Sequence, residues 1–192
     1  LVNIGLIALF GLQHSIMARP GFKRLVRKTM PAATERSTFL LFSGIVLSLA
    51  IWAWHPLPGQ VWHVENTMGI ITLYALYALG WSYLLVATFV TNHFELMGLR
   101  QIYLYFAEKP YTKIAFTNKY MYKYSRHPMM LGLLVGMWCV PVMTHSQFVM
   151  AFLLSLYVFT GIYFEERDLM TEFGETYKKY KKEIATLIPK LY

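Results

Sequence analysis

The chain has 192 residues, 56% of them hydrophobic and only 15% charged, with a mean hydropathy of +0.40. That profile fits a multi-pass membrane protein and excludes an ordinary soluble domain. The net charge of +8 accompanies no groove-reading motif, which argues against nucleic acid as a partner, and the single Cys139 excludes a disulfide framework or a Cys-based zinc cluster.

The first apolar run covers residues 2–18. No Lys or Arg precedes it, so it reads as a membrane helix and not as a signal peptide, and an earlier start with a further helix is expected ahead of Leu1. Near its end Gln13, His14 and Ser15 form a polar cluster. Ionisable residues in a membrane are either satisfied by a neighbouring helix or functional. His14 is open to both readings, an interhelical hydrogen bond or a wall of a substrate pocket.

Four more apolar runs follow, at residues 38–54, 68–91, 129–143 and 147–164. A span needs about 20 apolar residues, within a range of about 17 to 25. The third run is long enough outright, and the first, second and fifth are near the minimum. The fourth is short, and it borrows residues 126–128 or crosses only part of the bilayer. The fold class expected is an all-α integral membrane protein of about five transmembrane helices, forming one domain over residues 1–192. Interfacial and C-terminal amphipathic helices complete it.

Asn92 and His93 follow the third run directly, as a helix end at the interface or as part of a substrate pocket. Residues 93–107, which include Arg100, are rich in aromatic and aliphatic side chains and predict a helix lying in the interface. At the mouth of the fourth run stands RHPMMLG, residues 126–132, preceded by Tyr120, Tyr122 and Tyr124. Gly132-x-x-x-Gly136 predicts close helix packing, and Gly132 also offers bare backbone to a flat ligand one turn from His127. Past the fifth run the chain reads EERDL, beginning with Glu165 and Glu166. In the tail, Leu169, Phe173, Tyr177, Tyr180, Ile184 and Leu187 recur at three- and four-residue steps, which predicts an amphipathic helix close to the RHP mouth.

All eighteen Lys and Arg fall within residues 19–36, 100–126 and 167–190, and the loops at 55–67 and 144–146 hold none. This positive-inside pattern puts the three basic segments in the cytoplasm, where they can also meet anionic lipid. His55, His63 and His145 then lie at the outer face, and His14, His93 and His127 at the cytoplasmic edge. Arg126, His127, Glu165 and Glu166 come to that edge at the two ends of one hairpin. Arg can hold a carboxylate bidentately, a Glu can accept from an ammonium, and the tyrosines can pack on a cation. The bland alternative is that these residues are interfacial anchors and a helix end. Both signs together suit a zwitterion with a separate positive centre. No G-x-G occurs, so a Rossmann-type nucleotide fingerprint is absent.

Y-x-Y-S-R-H-P-x-x-x-G, then E-E-R-D-L, then F-G-x-x-Y-x-x-Y and a terminal I-P resemble the isoprenylcysteine carboxyl and phospholipid methyltransferase superfamily of membrane enzymes. HSIMARPGFK, ERS and NHFELMGLRQ extend the resemblance upstream, to the bacterial methanethiol S-methyltransferases and the related NnrU-like membrane proteins. The resemblance implies S-adenosylmethionine held from the cytoplasm by Tyr122, Tyr124, Arg126, His127, Pro128, Gly132, Glu165 and Glu166. It implies a small thiol acceptor, with methanethiol leading, near His14, Asn92 and His93. The thiolate is the nucleophile. His14, His93 and Glu166 are candidate bases, and Arg100 is a candidate for stabilising thiolate charge. Two other readings stay open: methylation of a lipid or prenylcysteine acceptor, and a haem- or metal-binding redox partner using His14 and His93.

Overall fold

The computed structural model describes residues 1–112, 114 and 116–188. Lys113 and Lys190 of the basic segments, and Pro189 of the terminal I-P, lie outside the described residues. Among the described residues, three helices are long and apolar enough to cross a membrane: Ala32–Trp52, Thr67–Val90 and His145–Phe173. Val2–Ala18 and Pro128–Trp138 are shorter apolar helices. Each of the five apolar runs thus contributes a helix, the fourth only as far as Trp138, and the protein is an all-α membrane protein. Its large side chains confirm the solvent it needs. Leu79 and Phe159 are 60% and 52% exposed in the middle of apolar helices, an arrangement suited to lipid and not to water.

The described residues divide into two compact units. The first, residues 1–56 and 91–114, contains α1 (Val2–Ala18), α2 (Pro20–Val26), α3 (Glu35–Trp52), α5 (His93–Leu96) and α6 (Leu99–Phe106). Helices α1 and α3 pack along one another, burying Ile7, Phe10 and Met17 of α1 and Ser43 and Ala50 of α3. At one end Asn3 exchanges two hydrogen bonds with the backbone of His55, at 2.8 and 2.9 Å. At the other, Glu35 in the first turn of α3 takes Arg27 at 2.7 Å and Lys23 at 3.4 Å, and Arg36 donates to the Leu96 carbonyl at 2.8 Å. The interfacial helix expected over residues 93–107 is two pieces, broken at Gly98. There φ is +78°, and a Cβ would sit 2.6 Å from the Ser37 backbone nitrogen, so only glycine fits without strain.

The second unit, residues 57–90 and 115–192, holds β1 (Gln60–His63), α4 (Thr67–Val90), α7 (Pro128–Trp138), β2 (Val142–Thr144), α8 (His145–Phe173) and α9 (Glu175–Glu183). Helices α4 and α7 pack most closely, because glycine faces glycine. A Cβ on Gly80 would lie 2.6 Å from the Gly136 nitrogen, and one on Gly132 would lie 2.7 Å from the Gly80 oxygen. The small-residue spacing thus serves helix packing, and α4 covers the bare face of Gly132. Helix α7 is only 11 residues, about 16 Å at 1.5 Å per residue, half of a bilayer core. It begins with Pro at its first turn and gives way at Cys139 to a short non-helical stretch that leads into β2. Strand β2 pairs antiparallel with β1, His63 opposite Val142, in a small two-stranded sheet.

Helix α8 has 29 residues, about 43 Å, more than the roughly 30 Å core. Its start is fixed by a capping box between Thr144 and Gln147. Its last turns leave the apolar stretch at Glu165. The tail helix expected to reach Leu187 is interrupted at Gly174, where φ is +54°, and α9 ends at Glu183. Beyond it residues 185 and 186 run back against residues 125–127.

Candidate functional site

In the second unit, Pro128 ends the freedom of the preceding backbone and starts α7, so His127 stands at the helix mouth in a non-helical conformation. Arg126, His127 and Glu166 are buried, at 9%, 5% and 6% exposure. Burying charge is costly unless it is paired, and here the pairing is dense. Glu166 Oε1 accepts from Arg126 Nε at 2.7 Å and lies 3.2 Å from His127 Nε2. Its other oxygen, Oε2, meets Lys181 Nζ at 2.7 Å. Glu165 Oε2 lies 3.4 Å from His127 Nδ1, and its carboxylate is half-exposed. Each ring nitrogen of His127 thus faces a different carboxylate.

The cluster expected from the sequence is therefore assembled in one place, with a different division of labour. Arg126 also donates through Nη1 to the carbonyls of Lys181, at 3.1 Å, and Ile184, and through Nη2 to Thr186 Oγ1 at 2.7 Å. Its own backbone N–H reaches the Ala185 carbonyl at 3.0 Å, and that of His127 reaches Thr186 at 3.1 Å. Tyr122 is buried, and its carbonyl accepts from the Tyr180 hydroxyl at 2.6 Å, whereas Tyr124 is exposed. Pro128 is fully buried, and Gly132 is engaged by α4.

Three participants were not singled out from the sequence. Lys181 and Thr186 bind Glu166 and Arg126 from the tail. Tyr177 is 1% exposed, and its buried hydroxyl takes no hydrogen bond among the described residues. Burial, reinforced by the Glu166 carboxylate, pushes the Tyr177 phenol well above its ordinary range. Burial also pushes Tyr180 up, to about 12. Both stay neutral donors at any physiological pH. Y-x-x-Y spacing puts them on one helix face and was the available signal, whereas Lys181 and Thr186 carried none.

The remaining candidates lie in the first unit. His14 Nδ1 is 3.1 Å from Ser43 Oγ, with the rings of Phe39 and Phe10 at 4.6 and 5.5 Å. That is the interhelical hydrogen bond which the sequence allowed. Asn92, at φ +82°, caps α5 by accepting from Glu95 N at 3.0 Å, and His93 meets Phe94 edge to face. Arg100 binds Glu95 at 2.8 Å and both oxygens of Thr112, at 3.0 and 2.6 Å. Glu95 in turn accepts from Gln101 at 2.8 Å and from Tyr111 at 2.6 Å.

A family model described as NnrU protein matches residues 2–187. The chain belongs to the NnrU family. This NnrU-family chain is 44% identical over 189 residues to the methanethiol S-methyltransferase of Crocosphaera subtropica, spanning 98% of this chain and 74% of that protein. To the methanethiol S-methyltransferase of Mycobacterium tuberculosis it is 43% identical, spanning 98% and 77%. It is also 30% identical over 166 residues to the Nurim of Xenopus laevis, spanning 82% and 58%. No solved structure matches the NnrU-family chain.

Proposed function

We propose that this protein is a membrane methyltransferase that transfers a methyl group from S-adenosylmethionine to methanethiol, releasing dimethyl sulfide. The observation that carries this reading is similarity of 41–44% over nearly the whole chain to proteins named methanethiol S-methyltransferase. Residues 1–192 act as one methyltransferase domain. The positive-inside pattern sets it in the bacterial cytoplasmic membrane, with the tail and the RHP mouth in the cytoplasm. There the exposed Lys179 and Lys182 of α9 meet anionic lipid.

The residues present fit the methyl donor in charge. The half-exposed Glu165 carboxylate can take its ammonium, and Lys181, 40% exposed, can take its carboxylate. The buried Tyr177 hydroxyl, within the electrostatic influence of Glu166, is a neutral donor with no hydrogen-bond partner among the described residues. Tyr122, Tyr124, Arg126, His127, Pro128, Gly132 and Glu166 complete the donor-side set, several of them as framework. When bound, the donor supplies an electrophilic methyl on a sulfonium. For the acceptor, Asn92, His14 and His93 are the candidate thiol contacts, and an imidazole removes the proton. We favour His14 over Glu166 as the base, because Glu166 is already held by Arg126 and Lys181 and lies against His127. Arg100, bound to Glu95, is the candidate for stabilising thiolate charge. Apolar surroundings that exclude water favour a step in which charge is lost.

The test combines purified protein, methanethiol and S-adenosylmethionine and assays the headspace by gas chromatography. Dimethyl sulfide is expected. Methylation of a lipid or prenylcysteine acceptor with none of methanethiol would overturn the substrate. Folded protein that binds neither S-adenosylmethionine nor its demethylated product would overturn the reaction.

A further inference from the structure

A guanidinium has five N–H donors, arranged so that a carboxylate is gripped by two adjacent ones. Arg126 has four of its five committed within the protein: Nε to Glu166, two from Nη1 to the Lys181 and Ile184 carbonyls, and one from Nη2 to Thr186. No adjacent pair is left for a ligand. The partners have a common logic. Helix α9 ends at Glu183, so the Lys181 carbonyl is among those its last turn leaves without a helical partner. A buried cation at that end also meets the negative pole of the helix. Lys181 closes the circuit, since its carbonyl binds Arg126 while its ammonium binds Glu166. The backbone N–H groups of Arg126 and His127 and the hydroxyl of Ser125 reach the carbonyls of Ala185 and Thr186 as well.

We propose that Arg126 is a positioning residue that straps residues 181–186 across the RHP mouth, and thereby fixes Glu166 and His127, without itself gripping the methyl donor. This rests on the methyltransferase reading for its ligand but not for its geometry. Arg126 is irreplaceable by Lys on this account, because an ammonium cannot span a carboxylate, two carbonyls and a hydroxyl at once.

The test compares two ligands. S-Adenosylhomocysteine carries the amino-acid carboxylate, and 5′-methylthioadenosine lacks it. Arg126→Lys and Thr186→Val should each weaken S-adenosylhomocysteine by about tenfold or more, as for loss of a charge-assisted bond, and 5′-methylthioadenosine by no more than that, because the strap carries Lys181 as well as fixing Glu166 and His127. Thr186→Ser, which keeps the hydroxyl, should restore both affinities. A loss for S-adenosylhomocysteine in Arg126→Lys with none in Thr186→Val would show Arg126 gripping the ligand carboxylate and overturn the proposal. Amide hydrogen exchange without ligand separates this from the functional reading. Exchange at Arg126, His127 and Ile184 should accelerate about tenfold or more in Thr186→Val. Unchanged exchange there would sink the strap even if both ligands bind. If neither ligand binds the folded wild type, faster exchange still supports the strap.

Discussion

Removal of the Glu166 carboxylate is the most informative single change, because its cost follows from burial and partner count. Its side chain is 8% exposed and that of Arg126 6%. Glu166→Ala leaves the guanidinium buried without its counter-charge, and breaking a buried ion pair in this way costs about 3–5 kcal/mol. Two features push the figure to the lower end. Arg126 keeps its two carbonyls and Thr186, and Lys181, 40% exposed, can turn to water. About 3 kcal/mol then corresponds to a drop of about 6–12 °C in apparent Tm for a chain of this size. Glu165→Ala is the matched control. Glu165 is one residue away, carries the same charge and is half-exposed, so its loss costs under about 1 kcal/mol. The assay is tryptophan fluorescence on heating in detergent, with both variants at equal concentration. Equal shifts for Glu165→Ala and Glu166→Ala would refute the reasoning, since burial and pairing would then not decide the cost.

Gly80→Ala should destabilise by about 1–3 kcal/mol, because its Cβ would meet Gly136 backbone at 2.6 Å, while Gly5→Ala, with nothing within 4 Å, should be neutral or stabilising. Thermal melts of the two variants check this. His14→Ala or His93→Ala should lower turnover of methanethiol more than affinity for S-adenosylhomocysteine, and His145→Ala, bonded to the Pro58 carbonyl in the β1–β2 region, should change neither. Kinetics with calorimetry on the three variants decide it. In folded protein Tyr180 titrates at about 12, above its ordinary value of 10, so it adds stability that is complete below pH about 10 and lost as pH rises through about 12. Apparent Tm against pH should be flatter over that window in Tyr180→Phe, and an unaltered slope would count against the raised phenol.

The apolar runs were legible because lipid imposes one rule, a long stretch of apolar residues with its backbone bonds made internally. Each run contributes a helix, and the short fourth one ends at Trp138, before the run itself does. Boundaries set by a single glycine were harder. Gly98 and Gly174 interrupt helices whose side-chain periodicity continues past them, at φ of +78° and +54°. Periodicity reports which face is apolar and is blind to a bend that preserves it. The two-stranded sheet was hidden for another reason. Its strands, Gln60–His63 and Val142–Thr144, are short and far apart in the chain.

The site divides along the same line. That Arg126, His127, Glu165 and Glu166 converge was readable, because each lies at the end of an apolar stretch and a hairpin brings those ends together. What each does there was not. Arg126 looked like a ligand-gripping cation because its type permits it. Its actual partners lie 40 to 60 positions away, at Glu166, Lys181, Ile184 and Thr186, and three of its bonds go to tail groups, two of them backbone carbonyls that any residue would supply. A backbone acceptor leaves no trace in residue type. The same limit governs Tyr177, whose solitary buried hydroxyl becomes conspicuous only when every neighbouring donor and acceptor has been matched. A buried cation therefore marks where charge must be balanced, and only its full set of acceptors tells whether it meets a ligand or holds the chain that does.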